Sequence, residues 1–88
     1  MRIKPGFEMV NIAGDYLLIP IGDQIDQFNG TVVLNEVAAF IITKLNTDIE
    51  KDDLVTLLVK EYNIAPRIAR EDIDEALEKM KKIGIIYE

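Results

Sequence analysis

The feature that most constrains the fold is a change in the spacing of apolar residues after Leu34. Before that point, apolar residues occur in short runs that are typical of β-strands. From Asn35 onward they recur every three or four residues, which is the spacing of one face of an α-helix. A chain that begins with strands and ends with helices predicts an α+β fold, with an N-terminal antiparallel sheet followed by helices.

A hairpin is predicted at the start of the chain. The segments Phe7 to Ile12 and Tyr16 to Ile19 are rich in β-favouring residues and flank the turn signal Ala13-Gly14-Asp15. Pro20 cannot donate a hydrogen bond to a ladder, so the second strand is expected to end there or to run along an edge.

A third strand is predicted at Thr31 to Leu34. The preceding Asn29-Gly30 favours a two-residue turn because both residues tolerate positive φ. The segment Gln24 to Phe28 can pair back across that turn, so the sheet has three strands or, with this short fourth one, four. The apolar tail Ile85 to Tyr87 is expected to pack back on the domain or to add a short strand.

Three helices follow, and each has recognisable end signals. They run from Asn35 to about Leu45, from Glu50 to Asn63, and from Pro66 to Gly84. Pro66 suits the first position of a helix, where its missing N–H leaves no bond unmade, and Gly84 suits the position after the last one. We expect the apolar faces to meet in one core that includes Phe40, Leu58, Ile73 and Leu77.

The composition argues against catalysis. The 88 residues, which predict a single domain over 1–88, contain no Cys, His, Ser or Trp. Most nucleophiles, imidazole bases and soft metal ligands are therefore missing, and we expect no catalytic residues, metal site or cofactor. The N-terminal residues do not read as a signal segment and no apolar run could span a membrane, so a cytoplasmic protein is expected.

The charge balance bears on nucleic-acid binding. Sixteen acidic residues against ten basic ones give a net charge of -6, which repels a phosphate backbone. The second and third predicted helices nevertheless resemble a helix-turn-helix, and strands beside such a pair suggest a winged-helix arrangement. A winged-helix DNA-binding regulator is therefore the alternative function, although the acidic third helix would have to lie against DNA.

Several local motifs, taken in order, carry a resemblance to a known family. They cover nearly the whole chain: Lys4-Pro5-Gly6-Phe7, Gly14 to Pro20, Val33 to Ile41, Asp53-Leu54-Val55, Glu61-Tyr62, Asp72-Ile73 and Ile83 to Ile86. The chain resembles the pyrroloquinoline quinone biosynthesis protein D (PqqD-like) family. Its connection from Ile21 to Gly30 is longer than in the best-known members, so the resemblance does not identify the quinone as the product of its pathway.

The resemblance implies a non-catalytic, winged-helix-like peptide chaperone. Such proteins bind the leader of a ribosomally made precursor peptide and present it to a modifying enzyme, often a radical S-adenosylmethionine protein. The family's peptide groove lies between the last strand and the third helix. The implied partners of this chain are therefore a leader peptide and a modifying enzyme.

The residues themselves agree with peptide binding. A small sheet with helices on one side leaves an edge strand that can accept an extended peptide, and can also pair with a second copy to form a homodimer. On the third predicted helix, one line of residues lies next to the core stripe and could select peptide side chains. The predicted peptide-binding residues are Thr31, Val32, Val33, Leu34, Arg70, Asp74, Leu77 and Lys81.

Overall fold

The N-terminal hairpin is closed by a two-residue turn. In the computed structural model, which describes residues 1–28, 30–45 and 47–87, a short strand β1 (Arg2–Ile3) precedes β2 (Phe7–Ile12) and β3 (Asp15–Pro20). The strands β2 and β3 pair antiparallel from Ile12 opposite Asp15 to Phe7 opposite Pro20. The turn residues Ala13 and Gly14 have φ of 53° and 88°, as a tight hairpin turn requires. The predicted hairpin is confirmed, and its second strand ends at Pro20.

The predicted short fourth strand is wrong. The segment from Gln24 forms a one-turn helix, α1 (Gln24–Gln27), in which the N–H of Phe28 donates to the carbonyl of Gln24 at 2.8 Å. This turn carries the Phe28 ring to an edge-on contact with Phe7, with ring centroids 5.0 Å apart. The Phe28 side chain is therefore packed against another ring, and its segment does not pair as a strand. Of the predicted Asn29-Gly30 turn, Asn29 lies outside the described residues.

The third predicted strand is confirmed as β4 (Val32–Leu34), with Thr31 just before it. It pairs antiparallel with β3 through Tyr16 opposite Leu34 and Leu18 opposite Val32. The sheet order is β2-β3-β4, so β3 is central and β4 lies at an edge.

The three predicted helices are also confirmed: α2 (Glu36–Lys44), α3 (Lys51–Tyr62) and α4 (Pro66–Ile83). The Asn35 side chain caps α2 by accepting the N–H of Ala38 at 2.8 Å. Asn63 and Gly84 end α3 and α4 in the left-handed conformation, with φ of 51° and 91°. Within the described part of the chain, every helix is too short or too polar to traverse a lipid bilayer.

After Gly84 the chain turns back to the N-terminus. The strand β5 (Ile86–Tyr87) pairs antiparallel with β1, and the N–H of Lys4 donates to the carbonyl of Ile85 at 2.8 Å. The predicted return of the tail is therefore confirmed. Its partner β1 is too short to show a strand pattern in the sequence.

The core lies between one face of the sheet and the helices. Leu58 and Ile73 are fully buried, Leu77 is 4% exposed, and Phe40 packs against them, so the predicted shared core is confirmed. The sheet contributes its inner face to this core through Phe7, Met9, Tyr16, Leu18, Val32 and Leu34. The strand register places the remaining apolar residues on the outer face: Val10, Ile12, Leu17, Ile19 and Val33.

Replacing Leu58 with Ala should lower the free energy of unfolding by about 2 to 5 kcal/mol, because it opens a cavity in the centre of this core. Urea denaturation followed by circular dichroism measures the change. Ile25→Ala is a matched control, since Ile25 is 62% exposed and its truncation should change stability by less than about 0.5 kcal/mol. A loss of similarly small size for Leu58→Ala would contradict the core described here.

Candidate functional site

The strand β4 has one paired side and one open side. It pairs with β3 along one side, and no further strand of the three-stranded sheet follows it. The helix α4 packs mainly on α2 and α3. An edge strand with unpaired N–H and C=O groups is a template for another extended chain.

The hydrogen-bond phase of the sheet shows which backbone groups face the open side. The N–H of Ile21 donates to the carbonyl of Gly6 at 2.8 Å, in register with the β2–β3 ladder. In an antiparallel ladder, directly opposite pairs alternate between bonded and non-bonded. Residues 15, 17 and 19 of β3 therefore bond to β2, and Tyr16 and Leu18 bond to β4.

The same alternation continues through β4. Leu34 and Val32 are the bonded partners of Tyr16 and Leu18, whereas Val33 opposes Leu17 in a non-bonded pair. The N–H and C=O of Val33 consequently point away from β3, toward the open edge. Its side chain lies on the outer face of the sheet and is 70% exposed.

A groove runs between this open edge and α4. Its volume is about 220 Å³. The strand side is formed by Val32, Val33 and Leu34, the floor by Asn35 and Ala38, and the helix side by Ala76, Lys79, Met80 and Ile83. Most of these side chains are apolar, and Ile83 is 42% exposed at the rim. The groove can therefore bury apolar side chains of a chain lying beside β4.

The predicted strand residues and the predicted helix residues do not come together. Val32, Val33 and Leu34 line the groove, and Thr31 precedes them in the chain. By contrast, the four predicted residues of α4 lie on the side that faces α3. Arg70 donates to Asp52 at 2.7 Å, and Lys51 donates to Asp74 at 2.9 Å.

Leu77 and Lys81 lie on that same side. They line a separate depression of about 350 Å³ together with Met1, Glu50 and Lys51. The prediction that Arg70, Asp74, Leu77 and Lys81 lie beside β4 is therefore wrong in its geometry, and any contribution of these residues to peptide binding stays a prediction.

The contact between α3 and α4 has an electrostatic component. The Arg70 guanidinium, through its hydrogen bond and its charge, holds the pKa of the Asp52 carboxyl below the ordinary value. Both side chains are well exposed, so this ion pair and the one between Lys51 and Asp74 add little to stability. They do show which side of α4 is occupied by α3.

The groove residues of α4 were missed for a physical reason. Helical periodicity identifies the buried stripe of a helix, but either flank of that stripe could face a strand. Ala76, Met80 and Ile83 belong to the same apolar pattern as the core residues of α4, and nothing in the sequence separates them from that core. Only the structure shows that Ile83 is 42% exposed.

The described residues offer no metal centre. Across 1–28, 30–45 and 47–87, no group of three or more acidic, His or Cys side chains could hold a metal ion. Buried side-chain polar atoms without a hydrogen-bond partner are likewise absent from these residues. The groove therefore offers backbone hydrogen-bonding groups and apolar side chains.

Two solved structures are similar to this chain in fold. One is described as TbiB1 in complex with the TbiA(beta) leader peptide; it has a TM-score of 0.74 and 15% identity, over 97% of this chain and 93% of that one. The other is described as lasso peptide synthetase B1 complexed with the leader peptide. It has a TM-score of 0.74 and 22% identity, over 99% of this chain and 96% of that one.

A family model identifies the chain more directly. No curated protein sequence matches it. The model described as coenzyme PQQ synthesis protein D (PqqD) matches residues 15–86, from the start of β3 to the first residue of β5. This range includes β4, all of α4 and the groove between them. The predicted α+β architecture and the resemblance are thus both confirmed, and the chain belongs to the PqqD family.

Proposed function

We propose that this protein is a non-catalytic adaptor that binds the leader of a ribosomally made precursor peptide and presents it to a peptide-modifying enzyme, of the radical S-adenosylmethionine type or another. The leader adds to the sheet as a strand beside β4. The observation that carries this proposal is the open edge of β4, with the Val33 backbone directed into an apolar groove.

Membership of the family and the two similar structures support the proposal. Both structures are described as complexes with a leader peptide, and both align with nearly all of this chain. The groove of this chain lies within the part that matches the family model.

Because the open edge of β4 is short, the affinity for a leader depends mainly on the leader's side chains. Val33 offers one donor and one acceptor, and two backbone hydrogen bonds contribute about 1 to 3 kcal/mol. Association costs about 4 to 15 kcal/mol, so backbone pairing alone cannot hold a peptide. Each apolar side chain buried in the groove adds about 1.5 to 3 kcal/mol. Affinity therefore depends on which leader side chains enter the groove.

The phase of the ladder determines which side chains these are. Directly opposite residues point to the same face of a sheet, so the leader residue opposite Val33 directs its side chain toward the outer face of the sheet. Its two neighbours lie opposite Val32 and Leu34 and point inward, toward Ala38 and α4. The groove thus takes apolar side chains that are two residues apart.

The proposed site consists of two parts. The strand part keeps the residues predicted from the sequence, Thr31, Val32, Val33 and Leu34. The helix part is formed by Ala76, Met80 and Ile83, and the floor by Ala38. The DNA-binding alternative has no observation in its favour, and the carboxylates of Asp72 and Glu75 beside the groove would repel phosphates.

Val33→Pro tests the edge itself. Proline removes the outward N–H without breaking the β3–β4 ladder, so the protein should remain folded while a leader peptide binds about tenfold more weakly. The probe is a leader peptide encoded by a short reading frame, if one lies beside the gene, and calorimetry measures its affinity. Val32→Pro is the contrasting variant, because it removes a ladder bond and should lower the melting temperature. Undiminished affinity in a folded Val33→Pro protein would exclude strand addition at β4.

Ile83→Gln tests the helix side of the groove. Losing this apolar side chain should weaken leader binding about tenfold, since it removes much of the burial that one side chain provides. The matched control is Ile68→Gln, which makes the same change on the same helix outside the groove and should leave affinity unchanged. Asp74→Lys asks whether the α3-facing side takes part. A larger effect for Asp74→Lys than for Ile83→Gln would move the site to that side.

Self-association through β4 is expected at high concentration, because the same open edge can pair with a second copy. Sedimentation from micromolar to millimolar protein should show a growing dimer fraction that a bound leader suppresses. Val33→Pro should suppress it as well. A strict monomer throughout would rule out the dimer while leaving peptide binding intact.

A further inference from the structure

The two ends of the groove differ in charge. At the end near the C-terminus of α4, it is bordered by Val32, Met80 and Ile83. At the other end it continues into a second depression of about 290 Å³, since Asn35, Ala76 and Lys79 line both. The walls of that depression also include Glu36, Val37, Asp72 and Glu75. A chain lying along β4 therefore runs from an apolar end to an acidic end.

The acidic end retains negative charge. Among the described residues that line this depression, Lys79 alone is basic, and its Nζ lies 3.4 Å from an Oε of Glu75, so the two charges neutralise each other. Glu36 and Asp72 form no ion pair with the described residues. Two carboxylates therefore face the space beyond Asn35 without a counter-charge, and they sit where a strand added to β4 must leave the sheet.

The alternation of a bound strand reaches this space. The two apolar side chains that point inward lie opposite Val32 and Leu34, and the next inward side chain comes two residues further toward Asn35. At about 3.3 Å per residue it lies beyond the end of β4, against the acidic depression. A Lys or Arg there can lay its stem along Val37 and Ala76 and place its charge beside Glu36 and Asp72.

We propose that the groove selects leaders in which a cationic side chain follows the two inward apolar ones, at the same spacing, on the Asn35 side. This inference rests on the proposed function and specifies the chemistry of its peptide. Read from Thr31 toward Asn35, the recognised pattern is apolar, any residue, apolar, any residue, cation. An acidic side chain at the last position is disfavoured by the same carboxylates.

Synthetic peptides test the pattern directly. The probes are capped peptides with the core Leu-Thr-Leu-Thr-Lys, its reversed order Lys-Thr-Leu-Thr-Leu, and the same two cores with Gln in place of Lys, all in Gly-Ser flanks. Amide shifts of the labelled protein on titration give the affinity and the location together. We expect a Lys peptide in one of the two orders to bind about threefold to tenfold more tightly than its Gln counterpart, with the difference shrinking at high salt. The preferred order also reports the direction of the bound strand.

Matched variants separate this inference from the proposed function. The combined change Glu36→Gln, Asp72→Asn and Glu75→Gln should abolish the preference for Lys. The control Asp53→Asn, Glu61→Gln and Glu78→Gln removes the same charge outside the groove and should keep it. If Val33 and Ile83 amides shift equally for the Lys and Gln peptides, the cation preference is refuted while strand addition stands. If no peptide shifts those amides, both proposals fail.

Discussion

The two-residue turn at Ala13 and Gly14 fixes the hydrogen-bond phase of the whole sheet. It makes Ile12 and Asp15 the pair next to the turn, and the alternation of bonded and non-bonded pairs then runs along β2 and β3 without a break. The same alternation continues across β3 into β4, so the N–H and C=O of Val33 point toward the open edge of the sheet. The groups that β4 presents at its open edge thus depend on a turn at the far end of the hairpin.

The space beside that edge comes from small side chains. Ala38 on α2 and Ala76 on α4 occupy positions where the two helices and β4 come near one another. Larger residues at these positions would close the gap and join α4 to the sheet. On its other side, α4 packs against α3 through the buried Leu58, Ile73 and Leu77. The groove therefore exists because large side chains fill the contact between α3 and α4, whereas small ones leave space between α4 and β4.

The sequence was informative wherever a local rule decides the structure. The helix start at Asn35, Pro66, Gly84 and the hairpin turn each depend on interactions within a few residues, and all were predicted. The strand predicted at Gln24 to Phe28 was wrong because the conformation of this segment depends on a contact with Phe7, which is distant in the chain. The residues predicted for the helix side of the groove were wrong because helical periodicity does not show which flank of α4 faces β4. The strand side of the groove was predicted because Thr31 to Leu34 is the last strand before the helices and the family resemblance implies a groove beside that strand.

The outward position of Val33 has a consequence for how a bound leader is exposed. A strand added beside β4 would hide alternate residues in the groove and leave the intervening ones on the outer face of the sheet, next to Val33, which is 70% exposed. The protein would then divide a leader into two interleaved sets, one concealed and one displayed. Substitutions in the displayed set would change few contacts with this protein, and those side chains would stay accessible to an enzyme that approaches the outer face of the sheet. This protein and an enzyme would then contact different side chains of the same short peptide at the same time.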